Sequence, residues 1–193
     1  MPHKLILASQ SPRRQQLLKD LGYAFEVRLK ETDETIPPHL PQGEASVYLA
    51  QKKAKTFLPT LQTDEILLTA DTIVLLEDQI MNKPADPAEA KEFLRRLSGK
   101  KHLVITGFCL TTLHEQIADK DVTEVYFKLL SEPEIEHYVS HYNPYDKAGG
   151  YGAQDWIGLI GVEKIVGSYF NVMGLPVHKV YQALSKFGRF STV

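Results

Sequence analysis

One cysteine and no apolar run of the length a membrane helix requires remove several classes of protein before any motif is considered. The lone Cys109 has no partner for an intramolecular disulfide and suits a reducing cytoplasm; within an apolar strand-like run it reads as core packing rather than as a nucleophile. The start, MPHKLILASQSPRR, lacks the long apolar h-region of a secretory signal, so a cytoplasmic protein without membrane attachment is expected. A large excess of charge of either sign is missing too. A net charge of −2 gives no general pull toward nucleic acid, so any positive site is local. The seven histidines form no HExxH spacing, and no zinc is expected. No segment reads GxxxxGK followed by Ser or Thr, none reads GxGxxG, and no Ser, His and Asp grouping announces acyl transfer.

What the sequence does contain begins at residues 5–22, LILASQSPRRQQLLKDLG, which read as strand, turn and helix in immediate succession. Ser11 is a good N-cap, Pro12 suits the first helical position, Leu17, Leu18 and Leu21 supply a core face, and Gly22 supplies the stop. Arg13 and Arg14 sit at the positive end of the helix dipole, where each cation loses roughly 0.3–1 kcal/mol. A bound phosphate reverses that sign, held by the free N–H groups, the Ser9 and Ser11 hydroxyls and the guanidinium forks. The alternative is that both arginines point to solvent or pair with carboxylates.

Further along, residues 23–29 alternate as a half-buried strand and end in the acidic loop Glu31-Thr32-Asp33-Glu34. A second helix carries Val47, Ala50, Ala54 and Phe57 as its stripe, with Lys52, Lys53 and Lys55 on its flank; the pattern alone does not distinguish Lys53 from a solvated lysine. In the apolar strand 66–76 the single carboxylate Asp71 must be paired, protonated, metal-bound or turned outward at a break. A turn at Glu77-Asp78-Gln79 leads to Lys83, held extended by Pro84. Asp86, Pro87 and Gly99 bound a third helix. Residues 102–113 and 117–127 read as a hairpin, and Ser131 with Glu134 as a capping box. A glycine-rich loop over 143–154 follows, then an expected hairpin over 156–166 and a last helix from Val177. Hairpins mixed with strand–helix units predict an α/β protein with a mixed sheet flanked by helices.

Cations at Arg13, Arg14, Lys53 and Lys83, carboxylates at Glu34 and Asp71 with Asp33 and Asp146 as further candidates, and glycine-rich backbone are what metal-assisted phosphate chemistry needs. They point to a phosphate ester or anhydride ligand without establishing turnover; a non-catalytic nucleotide-binding regulator is the alternative, although it has no use for Asp71.

The motifs LASQSPRR (7–14), ADTIV (70–74), Lys83-Pro84 with Leu97-Ser98-Gly99, DKAGGYGAQ (146–154) and Gly167-Ser168-Tyr169 through Gly174-Leu175-Pro176 together resemble the Maf family of nucleoside triphosphate pyrophosphatases, in order from residue 5 to about 185. The resemblance implies one Maf-like domain over 1–193, with two lobes sharing an inosine triphosphatase-like cleft. It implies hydrolysis of a nucleoside triphosphate, normal or modified, to monophosphate and pyrophosphate with a divalent cation, Mg²⁺ or Mn²⁺. It further implies a house-cleaning role, a link to cell-division arrest, and a chain that allows a homodimer. Carried over by position, Asp71 is the proton acceptor and a metal neighbour, Glu34 an acidic residue near the metal, and Lys53 and Lys83 join Asp71 in the catalytic set. Ser9, Arg13, Arg14, Lys53 and Lys83 then face phosphate, while Arg13, Thr72 and Gln154 match the branch acting on dTTP and UTP. The chain departs at Gly150, Ala153 and Asp155, where members more often carry Ala, Ile and Gly.

Overall fold

In the computed structural model, which describes residues 3–188, the chain opens with strand β1 (Lys4–Leu7) and helix α1 (Pro12–Asp20). Pro12 takes the first helical position, the Ser11 hydroxyl accepts the Arg14 N–H at 3.4 Å, and Gly22 ends the helix at φ 78°. Strand β2 (Phe25–Val27) is shorter than the alternation predicts: it lies at the end of the sheet, and Leu29 beyond it stays half exposed. Helix α2 (Ala45–Phe57) buries Ser46, Leu49, Ala50, Ala54 and Phe57, so its inner face is turned away from Val47, which is only half-buried. Strand β3 (Glu65–Leu76) runs unbroken and turns into β4 (Gln79–Met81) through Glu77 and Asp78, both at positive φ as a tight hairpin demands.

Helix α3 (Pro87–Leu97) is capped by Asp86, whose carboxylate accepts the Glu89 N–H at 2.8 Å. Strands β5 (Lys101–Thr111) and β6 (Gln116–Phe127) meet at a turn closed by the Thr112 N–H on the Glu115 carbonyl, and α4 (Glu132–Tyr142) starts in the expected capping box. Residues 156–166 are not a hairpin. They form helix α5 (Trp156–Gly161) and then strand β7 (Val162–Val166). The cause is a close approach: a Cβ on Gly158 would stand 2.0 Å from the Ala153 carbonyl oxygen, so glycine lets the chain coil tightly onto the preceding loop. Short helix α6 (Tyr169–Val172) and helix α7 (Val177–Leu184) follow.

The seven strands make one mixed sheet in the order β2-β1-β3-β5-β6-β7, with β4 on β3. β1 is parallel to both β2 and β3, whereas β3 with β4 and β6 with β7 are antiparallel. Packing divides the chain into two compact units. Among the described residues the first holds those up to Asp71, 106–121 and 174–188; the second holds 72–105 and 122–173.

In the first unit Ile6, Ala50, Ala54, Phe57, Leu67 and Cys109 form a core in which small alanines let α2 lie close on the sheet. Cys109 is fully buried, and burial pushes its thiol pKa up, as an inert core residue requires. At the start of β3 the buried Glu65 carboxylate takes both prongs of Arg28, at 2.8 and 3.0 Å, which holds it below the ordinary carboxylate range. The second unit packs α3 and α4 around Val74, Met81, Phe93, Leu94, Val125 and Tyr138. There His102 is buried against Phe127 and Tyr151, with its Nε2 2.6 Å from the Tyr151 hydroxyl, and burial lowers its pKa to about 3. Among the described residues no helix is long and apolar enough to cross a membrane.

Candidate active site

Parallel pairing of β1 with β3 ends at Leu7 and Leu68, and β3 then runs on past the carboxyl end of β1. Ala70 and Asp71 therefore stand beside the turn that opens α1, the side of a parallel sheet on which ligands usually bind. Side chains alternate along a strand, so Asp71 shares a face with Thr69. The Thr69 hydroxyl donates to the Ala50 carbonyl of α2 at 2.7 Å, which identifies that face as the one under α2. One helical turn beyond Ala50 comes Lys53, and its Nζ lies 2.6 Å from Asp71 Oδ1. Of the alternatives open to Asp71, the structure has an ion pair in an unbroken strand, with both partners 16% exposed.

Lys53 also meets Glu34, whose Oε1 is 2.8 Å from the same Nζ. The loop carrying Glu34 is fastened along α2. Lys30 reaches the Thr56 carbonyl at 3.1 Å, and the Asp33 carboxylate accepts from Lys52 at 2.7 Å and from the Thr35 N–H at 2.9 Å. Those bonds, the one to Lys52 first, hold Asp33 well below the usual carboxylate range. Neighbouring lysines thus take neighbouring acids, and Glu34 rather than Asp33 is the one aligned with Asp71.

The turn before α1 is organised by Arg14. Its Nη1 donates to Ser9 Oγ at 3.2 Å and to the Ala70 carbonyl at 3.0 Å, and its Nε donates to the Gly174 carbonyl at 2.7 Å. Ser9 is buried and also accepts the Ser11 N–H at 3.3 Å. Burial lowers the Arg14 pKa, while the Asp71 carboxylate acts in the opposite direction. Arg13 is half-buried beside it in the same first turn. The sequence reading missed the acceptors Ala70 and Gly174, because main-chain carbonyls leave no mark in a sequence.

Ser9, Arg14, Glu34, Lys53 and Asp71 are thus drawn together within the first unit, with Arg13 next to Arg14. Thr72, Lys83 and Gln154 belong to the second unit. Thr72 is half-buried on β3 directly after Asp71. Exposed Lys83 follows β4, and the Asn82 carbonyl before it accepts the Gly149 N–H at 3.0 Å. Gly149 has φ 71°, and a Cβ there would lie 3.0–3.1 Å from Val74, so the loop needs glycine on both counts. Asp146 pairs with Lys147 at 2.8 Å. Gln154 is half-buried between Gly152 and Asp155, whose main chains close a turn at 3.0 Å.

Two carboxylates on one ammonium form a hard-oxygen donor set. Among the described residues no third His, Cys, Asp or Glu joins such a group. That set fits Mg²⁺ or a similar ion, which is commonly bound by one or two carboxylates together with substrate phosphates and water. A mixed α/β sheet with a capped helix N-terminus and a Glu–Lys–Asp cluster at the carboxyl end of parallel strands defines a protein suited to phosphate-bearing ligands.

The chain belongs to the Maf-like protein family, whose description matches residues 4–187, as the motif resemblance predicts. It is 51% identical over 185 residues to the dTTP/UTP pyrophosphatase of Phocaeicola vulgatus, covering 95% of this chain and 96% of that one. It is 49% identical to the protein of that name from Bacteroides fragilis (95% and 96% covered), and 47% identical to that from Christiangramia forsetii (95% and 94%). Among solved structures, a nucleoside-triphosphatase / dITP/XTP pyrophosphatase from Mycobacterium abscessus matches at 14% identity and TM-score 0.40, over 64% of this chain and 72% of that one.

Proposed function

We propose that this protein hydrolyses dTTP and UTP to the nucleoside monophosphate and pyrophosphate. One observation carries the reading: Asp71, on β3 beside the turn before α1, is oriented by a lysine that also holds Glu34, in a chain about half identical to proteins named dTTP/UTP pyrophosphatase. Lys53 occupies Asp71 Oδ1 and leaves the other oxygen to accept a proton. Water losing that proton attacks the α-phosphorus, the bond to the bridging oxygen breaks, and pyrophosphate departs with the electron pair. Arg13 and the helix N–H groups balance the charge that grows on the leaving group, and Arg14 keeps Ser9 and the β3 backbone in place for them. Glu34 and Asp71 are the residues that would hold a divalent cation, which when bound neutralises triphosphate charge.

Base choice follows from hydrogen-bonding capacity. The Gln154 amide offers one donor and one acceptor, the pattern that complements O4 and N3–H of uracil or thymine. Incubation with UTP, dTTP, CTP, GTP and ATP in Mg²⁺ or Mn²⁺, with pyrophosphate and orthophosphate measured separately, tests the reading. Pyrophosphate from UTP and dTTP is expected, and chelation of the metal with EDTA should abolish its release. Release of orthophosphate, or no turnover of any nucleotide, would overturn it.

A further inference from the structure

The loop that carries Gln154 is held from beneath by a residue of the core. Tyr138, on α4, has no exposed surface, yet it brings a hydroxyl into an apolar cluster where phenylalanine would pack as well. That hydroxyl accepts the Gly152 N–H at 3.1 Å and donates to Asp155 Oδ2 at 2.8 Å. Gly152 and Asp155 are the two ends of the turn containing Gln154, and the Asp155 N–H closes it on the Gly152 carbonyl at 3.0 Å. One phenol therefore staples both ends of the turn.

The Asp155 carboxylate is committed to this staple at the expense of its local role. Asp155 is the N-cap residue of α5, where aspartate normally accepts a first-turn N–H, but its side chain makes no capping bond. It folds back over Gly152 instead, so that a Cβ on Gly152 would stand 2.5 Å from Oδ2. Lys147, in the same loop, pairs with Asp146 at 2.8 Å and lies 3.6 Å from that Asp155 oxygen.

We infer that Tyr138 and Asp155 are positioning residues for base selectivity, holding the Gly152–Asp155 turn so that the Gln154 amide meets the pyrimidine in one orientation. The inference rests on Gln154 reading the base. It is tested with kcat/KM for UTP and CTP on the full-length protein, alongside the melting temperature. Tyr138→Phe removes one oxygen and should lower the UTP-to-CTP ratio roughly tenfold, chiefly through KM for UTP, the scale of a disturbed polar specificity contact. Asp155→Ala should do the same, whereas Asp155→Asn, which keeps an acceptor for the Tyr138 hydroxyl, should retain the ratio. In a Gln154→Ala background Tyr138→Phe should leave the ratio where Gln154→Ala put it.

If Gln154→Ala leaves the ratio intact, the base reading fails and the inference falls with it. If Gln154→Ala collapses the ratio while Tyr138→Phe lowers both nucleotides equally, the base reading stands and the positioning role is wrong. Should Tyr138→Phe not fold, the two Asp155 variants decide, since equal ratios in Asp155→Ala and Asp155→Asn contradict the inference.

Discussion

Arg13 and Arg14 are adjacent, chemically identical and equally misplaced at the positive end of a helix dipole, and only their surroundings separate them. Arg14 spends its donors on carbonyls 56 and 160 residues away in the chain and on Ser9. No sequence pattern encodes such acceptors. Arg14→Lys supplies one point charge in place of a fork, so it should cost about 1–3 kcal/mol of stability, the scale of buried acceptors left unpaired. Denaturant unfolding measures this, and an unchanged midpoint would refute the organising role. Arg13→Ala should weaken triphosphate binding much more than nucleoside binding, and equal losses by calorimetry for both ligands would remove Arg13 from the phosphate site. Asp71 was conspicuous in the sequence because a charge inside an apolar strand demands an explanation. Lys53 was not, because Lys52 and Lys55 look the same until the Thr69–Ala50 bond fixes which turn of α2 lies over Asp71.

At the scale of elements, α1, α3 and α4 were legible because their ends are written in local chemistry: Ser11, Asp86 and Ser131 cap them, and proline stands in the first turn of each. Helix α5 was not legible. Its six residues are too few for a helical period, and Gly158 is explained only by the carbonyl of Ala153 packed against it. Gly107 makes a comparable point within β5. A Cβ there would meet the backbone of Ser46 and Val47, at the start of α2, at 2.4–2.6 Å, a close approach that an isolated glycine inside a strand pattern can signal. Gly107→Ala should therefore destabilise the protein by roughly 1–3 kcal/mol through overpacking. Because the displaced element is α2, which carries Lys53, kcat should fall as well. Retention of full activity and stability in Gly107→Ala would show that α2 can move without disturbing the Lys53–Asp71 pair.

For the whole molecule, the groups with shifted pKa values set how stability responds to acid. His102 folds with a pKa of about 3, below its ordinary value, so on lowering the pH the unfolded chain takes up this proton first. Its contribution is complete above about pH 6.5 and declines by up to roughly 1.4 kcal/mol per pH unit below that. Glu65 acts in the same direction at lower pH, because Arg28 holds its folded pKa below the ordinary carboxylate value. Unfolding free energy followed by denaturant titration from about pH 8 to pH 5 should fall on the acid side, and His102→Leu should flatten the upper part of that slope. The same slope in both proteins would contradict the assignment.

Mixed sheet, flanking helices and family membership were all accessible from the sequence, since hairpin signals, caps and ordered motifs are local. The pairing of Glu34, Lys53 and Asp71 needed tertiary structure. That pairing underlies the central claim, and the most direct test is the single-turnover rate of UTP hydrolysis in Mg²⁺ by the wild type and Asp71→Asn, with products resolved by ³¹P NMR. A general-base role for Asp71 requires UMP and pyrophosphate from the wild type and a rate lower by roughly 10² or more in the variant, at unchanged fold, because the amide cannot accept the proton of the attacking water. A variant that forms UMP and pyrophosphate at a near-normal rate would contradict it.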